Sequence, residues 1–202
     1  MKKFRFAILG AGHIARQFCD AVSRIDGCEV CAVASKSLAR AENFAKENGV
    51  ESYYDDYEML LEKERPDCAY IAVTTNDHYR LSVLCVNHSV PVLCEKAMFQ
   101  NSEEAKNLYT LASEKKIFVM EALWSRYLPA VRQAKRWVEQ EKIGTPTVLQ
   151  CNIGFVAPDD KENRYFNPKL GGGATKDITV YAYEITTFIL NQAIKNISVS
   201  AT

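Results

Sequence analysis

Short apolar runs alternate with amphipathic, helix-period stretches from the first residues to about residue 121, and this alternation constrains the fold more than any other feature. The strand-like runs are FRFAILG from Phe4, CEVCAVAS from Cys28, CAYIAVTT from Cys68, VPVLCEK from Val90 and IFVMEAL from Ile117, with a weaker one at VESYY from Val50. Between them, Ile14, Phe18, Val22 and Ile25 recur at a spacing that lines one helical face, as do Leu38, Ala41, Phe44 and Ala45. Asn101 with Glu104, ahead of Ala105, Leu108 and Leu111, reads as a capping-box helix start. Strands that are apolar at successive positions rather than alternate ones suit a sheet covered on both faces. The order predicts an α/β fold with a doubly wound, parallel, Rossmann-type sheet.

The pattern changes after about residue 125. A helix is expected from Pro129 to Glu141, then a turn at Gly144-Thr145-Pro146 and a strand-like TVLQCNIGF from Thr147. An irregular polar stretch from Ala157 to Leu170 leads to Gly171-Gly172-Gly173, a helix-period segment to about Leu190 and a β-branched tail, NISVSA from Asn196. We therefore expect one α/β domain over residues 1–123, and residues 124–202 read as the opening of a second domain. A strand signal running to the terminus leaves an unpaired edge and predicts self-association, as a homo-oligomer.

Lys and Arg together number 25, as do Asp and Glu, so the formal net charge is zero. That argues against nucleic-acid partners and against anionic membrane surfaces. The apolar runs are strand-length and too short to span a bilayer, and Arg5, His13 and Arg16 interrupt any signal-peptide core. A cytoplasmic setting is expected. The seven cysteines form no framework. Cys28 and Cys31 make a C-x-x-C in a strand, without the further ligands a metal site needs, so no metal is expected.

Gly10-Ala11-Gly12-His13-Ile14-Ala15 fits G-x-G-x-x-[G/A]. Alone that pattern also suits S-adenosylmethionine sites and plain turns, but here it follows a strand and opens a helix. In that setting Gly10 permits the tight turn, Gly12 lets the backbone approach a pyrophosphate, and Ala15 allows close helix–strand packing. The helix N-terminus behind His13 and Ile14 would hold the phosphates. The second strand ends in Ser35-Lys36-Ser37 with Arg40 a turn further, where an NAD-preferring site would carry Asp or Glu. A hydroxyl and two cations suit a ribose 2′-phosphate, so NADP(H) is expected over NAD(H). In TTNDHY, after the fourth strand, Thr74, Asn76 and His78 are placed to face the cofactor, whereas Asp77 reads equally well as a helix cap. Glu95 and Lys96 are the first polar groups after the buried fifth strand, near the nicotinamide end.

GAGHIA, EKA and GGGATKDITVYAYE resemble the Gfo/Idh/MocA oxidoreductases, and MEALWSRYLPA is similar to the branch of that family containing dimeric dihydrodiol dehydrogenase. The resemblance covers essentially the whole chain, and it implies that residues 1–123 are a dinucleotide-binding domain and residues 124–202 the first part of an α+β domain for substrate and oligomerisation, with an open, mostly antiparallel sheet. Two departures stand out: Ala97 occupies the place of the usual proline after Glu-Lys, and the family normally runs well past 300 residues. The resemblance assigns catalysis to Lys96, Asp177 and Tyr181. It places Trp124 and Arg126 at the cofactor, and Trp124, Phe155 and Tyr181 at the substrate. As plain residues Trp124, Phe155 and Tyr181 would be read as core. Independently of the family, Asp177 and Tyr181 stand four apart after the glycine run and share one helical face, with Glu184 extending the stripe.

The chemistry this implies is hydride transfer between NADP(H) and a secondary alcohol or carbonyl of a small diol or sugar-like molecule. Tyr181 would move the proton. A free tyrosine titrates near ~10, so Lys96 would have to favour the phenolate. Asp177 would orient Lys96 or the substrate hydroxyl. The competing expectation is a non-catalytic NADP-binding protein, a sensor or a remnant, motivated by Ala97 and the early C-terminus.

Overall fold

Six parallel strands form the sheet at the centre of the computed structural model, which describes residues 2–160 and 162–198. They are β1 (Phe4–Leu9), β2 (Cys28–Ala34), β3 (Ser52–Tyr54), β4 (Cys68–Ile71), β5 (Val92–Cys94) and β6 (Val119–Glu121), ordered β3-β2-β1-β4-β5-β6. Helices α1 (His13–Ser23), α2 (Leu38–Asn48), α3 (Tyr57–Glu64), α4 (Thr75–Asn87) and α5 (Ser102–Lys115) make the crossovers. The weak run at Val50 is a real strand, shortened to β3. Strand order reverses between β1 and β4, so the loops leaving their carboxyl ends diverge and open a crevice there.

Burial on both faces explains the continuous apolar runs. Leu9, Ile71, Leu81 and Leu108 belong to one core layer, and Ile8, Val33, Phe44 and Tyr70 to the other. Phe18 of α1 stacks on Tyr70 with ring centroids 3.9 Å apart. Helix starts follow local chemistry: Ser37 accepts from the Arg40 N–H, Asp56 from Met59 and Asn101 from Glu104. The reciprocal bond of the expected capping box shifts by one residue, because the Glu104 carboxylate accepts from the Gln100 N–H at 3.0 Å rather than from Asn101. A register shift opposite Phe6 and Ala7 skips Cys31, whose thiol donates to the Phe6 carbonyl oxygen at 3.2 Å. Burial pushes that thiol up to about 11. All seven cysteines are free, and no three ligating side chains cluster for a metal among the described residues.

Beyond β6, a 3₁₀ turn at Trp124–Tyr127 leads into α6 (Pro129–Glu139), with proline at its first position. A 3₁₀ turn at Pro168–Leu170 and a π-helical turn at Thr175–Thr179 precede α7 (Val180–Leu190). α7 packs along α6, where Lys135 Nζ donates to the Phe188 carbonyl oxygen at 2.9 Å.

The expected second sheet does not form among the described residues. TVLQCNIGF is extended chain without strand pairing, and residues 192–198 are likewise unpaired. The remainder of NISVSA lies outside the described residues. The physical reason is that a strand exists only through its neighbour: no described segment in this region supplies a ladder for these N–H and C=O groups. Val148 and Val156 are left 84% and 98% exposed.

Candidate active site

The crevice at the β1–β4 switch point is a cleft of about 830 Å³, of the size that takes a large small-molecule ligand. Its floor is the turn after β1. Gly10 has φ +115°, and a Cβ there would lie 2.5 Å from the Ala72 carbonyl oxygen. The protein's own packing therefore demands Gly10. Gly12 differs: the nearest atom to a Cβ would be 3.9 Å away, so nothing in the chain itself requires a bare backbone. Its missing side chain leaves room over the N-terminus of α1, where free N–H groups and the positive helix end favour an anion. The donor set thus fits a dinucleotide pyrophosphate.

Above this floor the cleft brings together Gly10, Gly12, His13, Ile14, Ser35, Lys36, Arg40, Thr74, Glu95, Lys96, Trp124, Asp177 and Tyr181. At the end of β2, Ser35 is buried and Ser37 caps α2, while Arg40 reaches back to the Ala11 carbonyl oxygen at 3.5 Å. His13 contacts Gln17 at 3.2 Å.

At the other end, Lys96 follows β5. Its neighbour Glu95 does not pair with the ammonium; it accepts from the Tyr70 hydroxyl at 2.6 Å, and burial together with that carboxylate holds Tyr70 as a neutral phenol. Lys96 Nζ instead donates to Asp177 Oδ1 at 2.9 Å and to the Asp177 carbonyl oxygen at 2.7 Å. Both side chains are only 14% exposed, so the pair is mostly withdrawn from water. The same ammonium lies 5.0 Å from the centroid of the Tyr181 ring. Trp124 Nε1 donates to the Tyr181 hydroxyl oxygen at 2.9 Å. Four side chains from three segments thus converge on one spot.

Four expected site residues lie elsewhere. His78 is 1% exposed, with Nδ1 at 3.0 Å from the Ala97 carbonyl oxygen and Nε2 at 3.1 Å from that of Val73. It braces the two loops that frame the cleft rather than facing into it, because the helical turn of α4 directs it inward. Asn76, beside it, is also outside the cleft lining. Arg126 turns away to pair with the Glu184 carboxylate at 2.6 Å. That carboxylate, 2% exposed, also accepts from the Ser125 hydroxyl, so Glu184 clamps α7 to the 3₁₀ turn. Phe155 packs on Tyr165, centroids 5.0 Å apart, and is half exposed outside the lining. Its strand does not form, so nothing carries its ring inward.

Other cleft residues carried an ambiguous sequence signal or none. Asp77 does not cap α4; its carboxylate binds Lys36 and Arg80 instead. Arg164 comes from the irregular stretch, where periodicity is silent, and approaches Asp177 Oδ1 at 3.4 Å. The glycine run could have located it: a Cβ on Gly172 would meet the Arg164 carbonyl oxygen at 2.5 Å, so that glycine exists to let this loop fold over. Gly171 packs on Thr75 in the same way, a Cβ there falling 2.7 Å from its Cβ. Lys176, hydrogen-bonded to Gln100 at 3.3 Å, completes the wall.

Comparison with known proteins agrees with this architecture. The Gfo/Idh/MocA family model described as "Oxidoreductase family, NAD-binding Rossmann fold" matches residues 4–123, and the "GFO/IDH/MocA C-terminal domain" model matches residues 131–202. Trans-1,2-dihydrobenzene-1,2-diol dehydrogenase from Danio rerio is 30% identical over 189 residues, covering 93% of this chain and 56% of that protein. The Mus musculus enzyme of the same name is 32% identical over 187 residues, 92% of this chain and 56% of that protein. The chain therefore spans about half the length of the curated relatives it matches. Among solved structures, an NAD-binding protein from Listeria innocua superposes with a TM-score of 0.83 at 24% identity, covering 93% of this chain and 55% of its own.

Proposed function

The chain belongs to the Gfo/Idh/MocA oxidoreductase family, and from that premise we propose that it binds NADP(H) in preference to NAD(H) and catalyses hydride transfer at the CH–OH or carbonyl carbon of a small diol or sugar-like molecule. The observation that carries this reading is the convergence of Lys96, Asp177, Tyr181 and Trp124 at one end of a cleft whose other end holds Gly12, Lys36 and Arg40. The curated relatives are named dehydrogenases of a diol.

When bound, the nicotinamide supplies the hydride donor or acceptor. The chain's own residues do the rest. Gly10 shapes the turn and Gly12 clears the approach to the α1 N-terminus, while Lys36 and Arg40 meet the adenosine ribose and its 2′-phosphate. Tyr181 hands a proton to, or takes one from, the reacting oxygen. Trp124 fixes the phenol oxygen in place, and no described residue accepts the phenol's own proton, which leaves that proton for a substrate. The Lys96 ammonium lies against the ring and stabilises negative charge as it develops on the phenol oxygen or on the substrate. Asp177 holds Lys96 in that position. The reading divides the chain at residue 123, the first unit holding the cofactor and the second bringing Asp177 and Tyr181 to it.

Self-association belongs to the same reading, motivated by the uncovered apolar side chains at Val148 and Val156. A cytoplasmic setting fits the free thiols. No helix among the described residues is long and apolar enough to cross a membrane.

Tyr181→Phe tests the mechanism. We expect kcat on a diol panel to fall by about 10²–10⁴, with NADPH affinity within about twofold of the parent, because the phenol serves the proton and not the nucleotide. A parent that binds NADPH yet turns over no diol or sugar would favour a binding protein instead.

A further inference from the structure

The cations at the adenosine end of the cleft are not equivalent. Lys36 Nζ sits 2.5 Å from Asp77 Oδ2, and Arg80 Nε sits 3.4 Å from Asp77 Oδ1. Arg40, by contrast, reaches only a backbone oxygen and has no carboxylate partner among the described residues. Lys36, Arg40 and Asp77 all line the cleft.

The Lys36–Asp77 pair is lopsided. Asp77 is held in the first turn of α4 and is 16% exposed, whereas Lys36 is 68% exposed on a flexible stem. An exposed lysine exchanges partners at little cost; the aspartate stays where the helix puts it. Burial alone would raise its carboxyl, but the Lys36 hydrogen bond and the charges of Lys36 and Arg80 outweigh that and hold it below the usual range. The helix N-terminus favours the same ionised form. A fixed negative charge thus stands across the switch point from a strand end, Ser35, that has no acid of its own.

That arrangement bears directly on the choice of nucleotide. A ribose 2′-phosphate entering here must draw Lys36 away from Asp77 and then lie near a bare carboxylate, a like-charge contact. An unphosphorylated ribose meets no such opposition, and its 2′-OH finds an acceptor of the kind that dinucleotide sites ordinarily place at the end of the second strand.

We propose that Asp77 is a specificity-determining residue, which withholds Lys36 from a 2′-phosphate and offers a carboxylate to a free ribose hydroxyl, so narrowing the margin by which Lys36 and Arg40 favour NADP(H) over NAD(H). The inference rests on the dinucleotide reading of the cleft but not on which nucleotide wins.

The test is the ratio of NADH to NADPH dissociation constants, titrated by intrinsic fluorescence for the parent chain and for Asp77→Asn. The variant keeps the side chain's size, and unchanged far-ultraviolet circular dichroism checks that α4 is intact. We expect the ratio to rise about three- to tenfold, mainly through tighter NADPH binding. Asp77→Ser should move it the same way. In a Lys36→Ala background the gain should shrink, since the released cation is gone. A ratio that stays within about twofold of the parent in both variants, or that falls, overturns the proposal; so does an undiminished gain without Lys36. A parent that prefers NADH would remove the cofactor preference proposed above while the shift in ratio still decides the role of Asp77. Binding of neither nucleotide to parent or variants would overturn both.

Discussion

The unit built from β1 to β6 and the stretch from Thr147 to Ser198 obey different rules. In the first, every central strand is covered on both sides, and α2, α3 and α5 are started by their own capping side chains. In the second, order is borrowed. Lys96 holds Asp177, Thr75 seats Gly171, Gln100 receives Lys176, and Ser125 with Arg126 clasps Glu184. Each of these ties runs to a partner that precedes the stretch, most of them on the first unit. The candidate site depends on that asymmetry, because the first unit supplies its floor and the borrowed wall brings Asp177 and Tyr181 to it.

The most severe way to break the comparison is to remove the wall. A chain ending at about residue 123 should remain folded and monomeric by light scattering and should still bind NADPH, more weakly, because its core is its own. Turnover should vanish entirely, since Asp177, Tyr181 and Trp124 are gone. Loss of the cooperative unfolding transition in this shorter chain would show that the first unit leans on the second as well.

Matched substitutions give the next largest contrast. Leu60 is fully buried in the first unit, so Leu60→Ala should cost about 2–5 kcal/mol in denaturant unfolding. Val148 is 84% exposed, and Val148→Ser should change stability by less than about 0.5 kcal/mol while reducing self-association seen by light scattering. If the two variants lose similar stability, then residues near Val148 are packed in solution in a way the described fold lacks.

Glu184 marks the seam. Its carboxylate is buried against Ser125 and Arg126, so Glu184→Ala leaves both without their acceptor and should cost about 2–4 kcal/mol in the attachment of α7. Hydrogen exchange should report the loss in residues 175–190 and leave β1 to β5 protected. Equal loosening across the sheet would mean that the two regions unfold as one.

The same asymmetry explains what could be read in advance. All six strands declare themselves locally, and so do three of the helices between them: apolar periodicity marks the faces of α1 and α2, and Asn101 announces the start of α5. The glycine turn is legible because Gly10 answers to Ala72 and Gly12 to an open space. What stayed hidden depends on long-range partners. TVLQCNIGF has the composition of a strand but no neighbour to pair with among the described residues. Whether Asp77 caps a helix or meets Lys36 is undecidable over a separation of 41 residues. Arg126 looked like a cofactor ligand until Glu184, 58 residues later, claimed it. His78 was legible as special but not in its direction.

His78 also sets the smallest expected effect, a dependence of stability on pH that is lodged in the first unit. Burial is the largest influence on its ring and lowers its pKa, outweighing the carbonyl oxygens of Val73 and Ala97 that favour the charged form. The folded value therefore lies below the ordinary one near ~6.5, which the unfolded chain retains. As pH falls through that range the unfolded chain takes up a proton before the folded one does, so stability declines with acid. Glu121 opposes this: burial raises its carboxyl, and the unfolded chain loses that proton first as pH rises past ~4.5. Asp77 and Glu64, both held below their ordinary values by hydrogen-bonded partners that outweigh their burial, lose their contribution only in stronger acid. Between about pH 6.5 and 5 the two remaining slopes have opposite signs, and each is bounded by one proton, about 1.4 kcal/mol per pH unit. His78→Gln removes the first of them. Whatever its cost at neutral pH, its melting temperature should then fall less steeply than the parent's on acidification, or should rise, as Glu121 acts alone. Parallel melting curves for the two proteins from pH 7 to 5 would mean that His78 titrates identically folded and unfolded, and that the brace between Val73 and Ala97 is open to water.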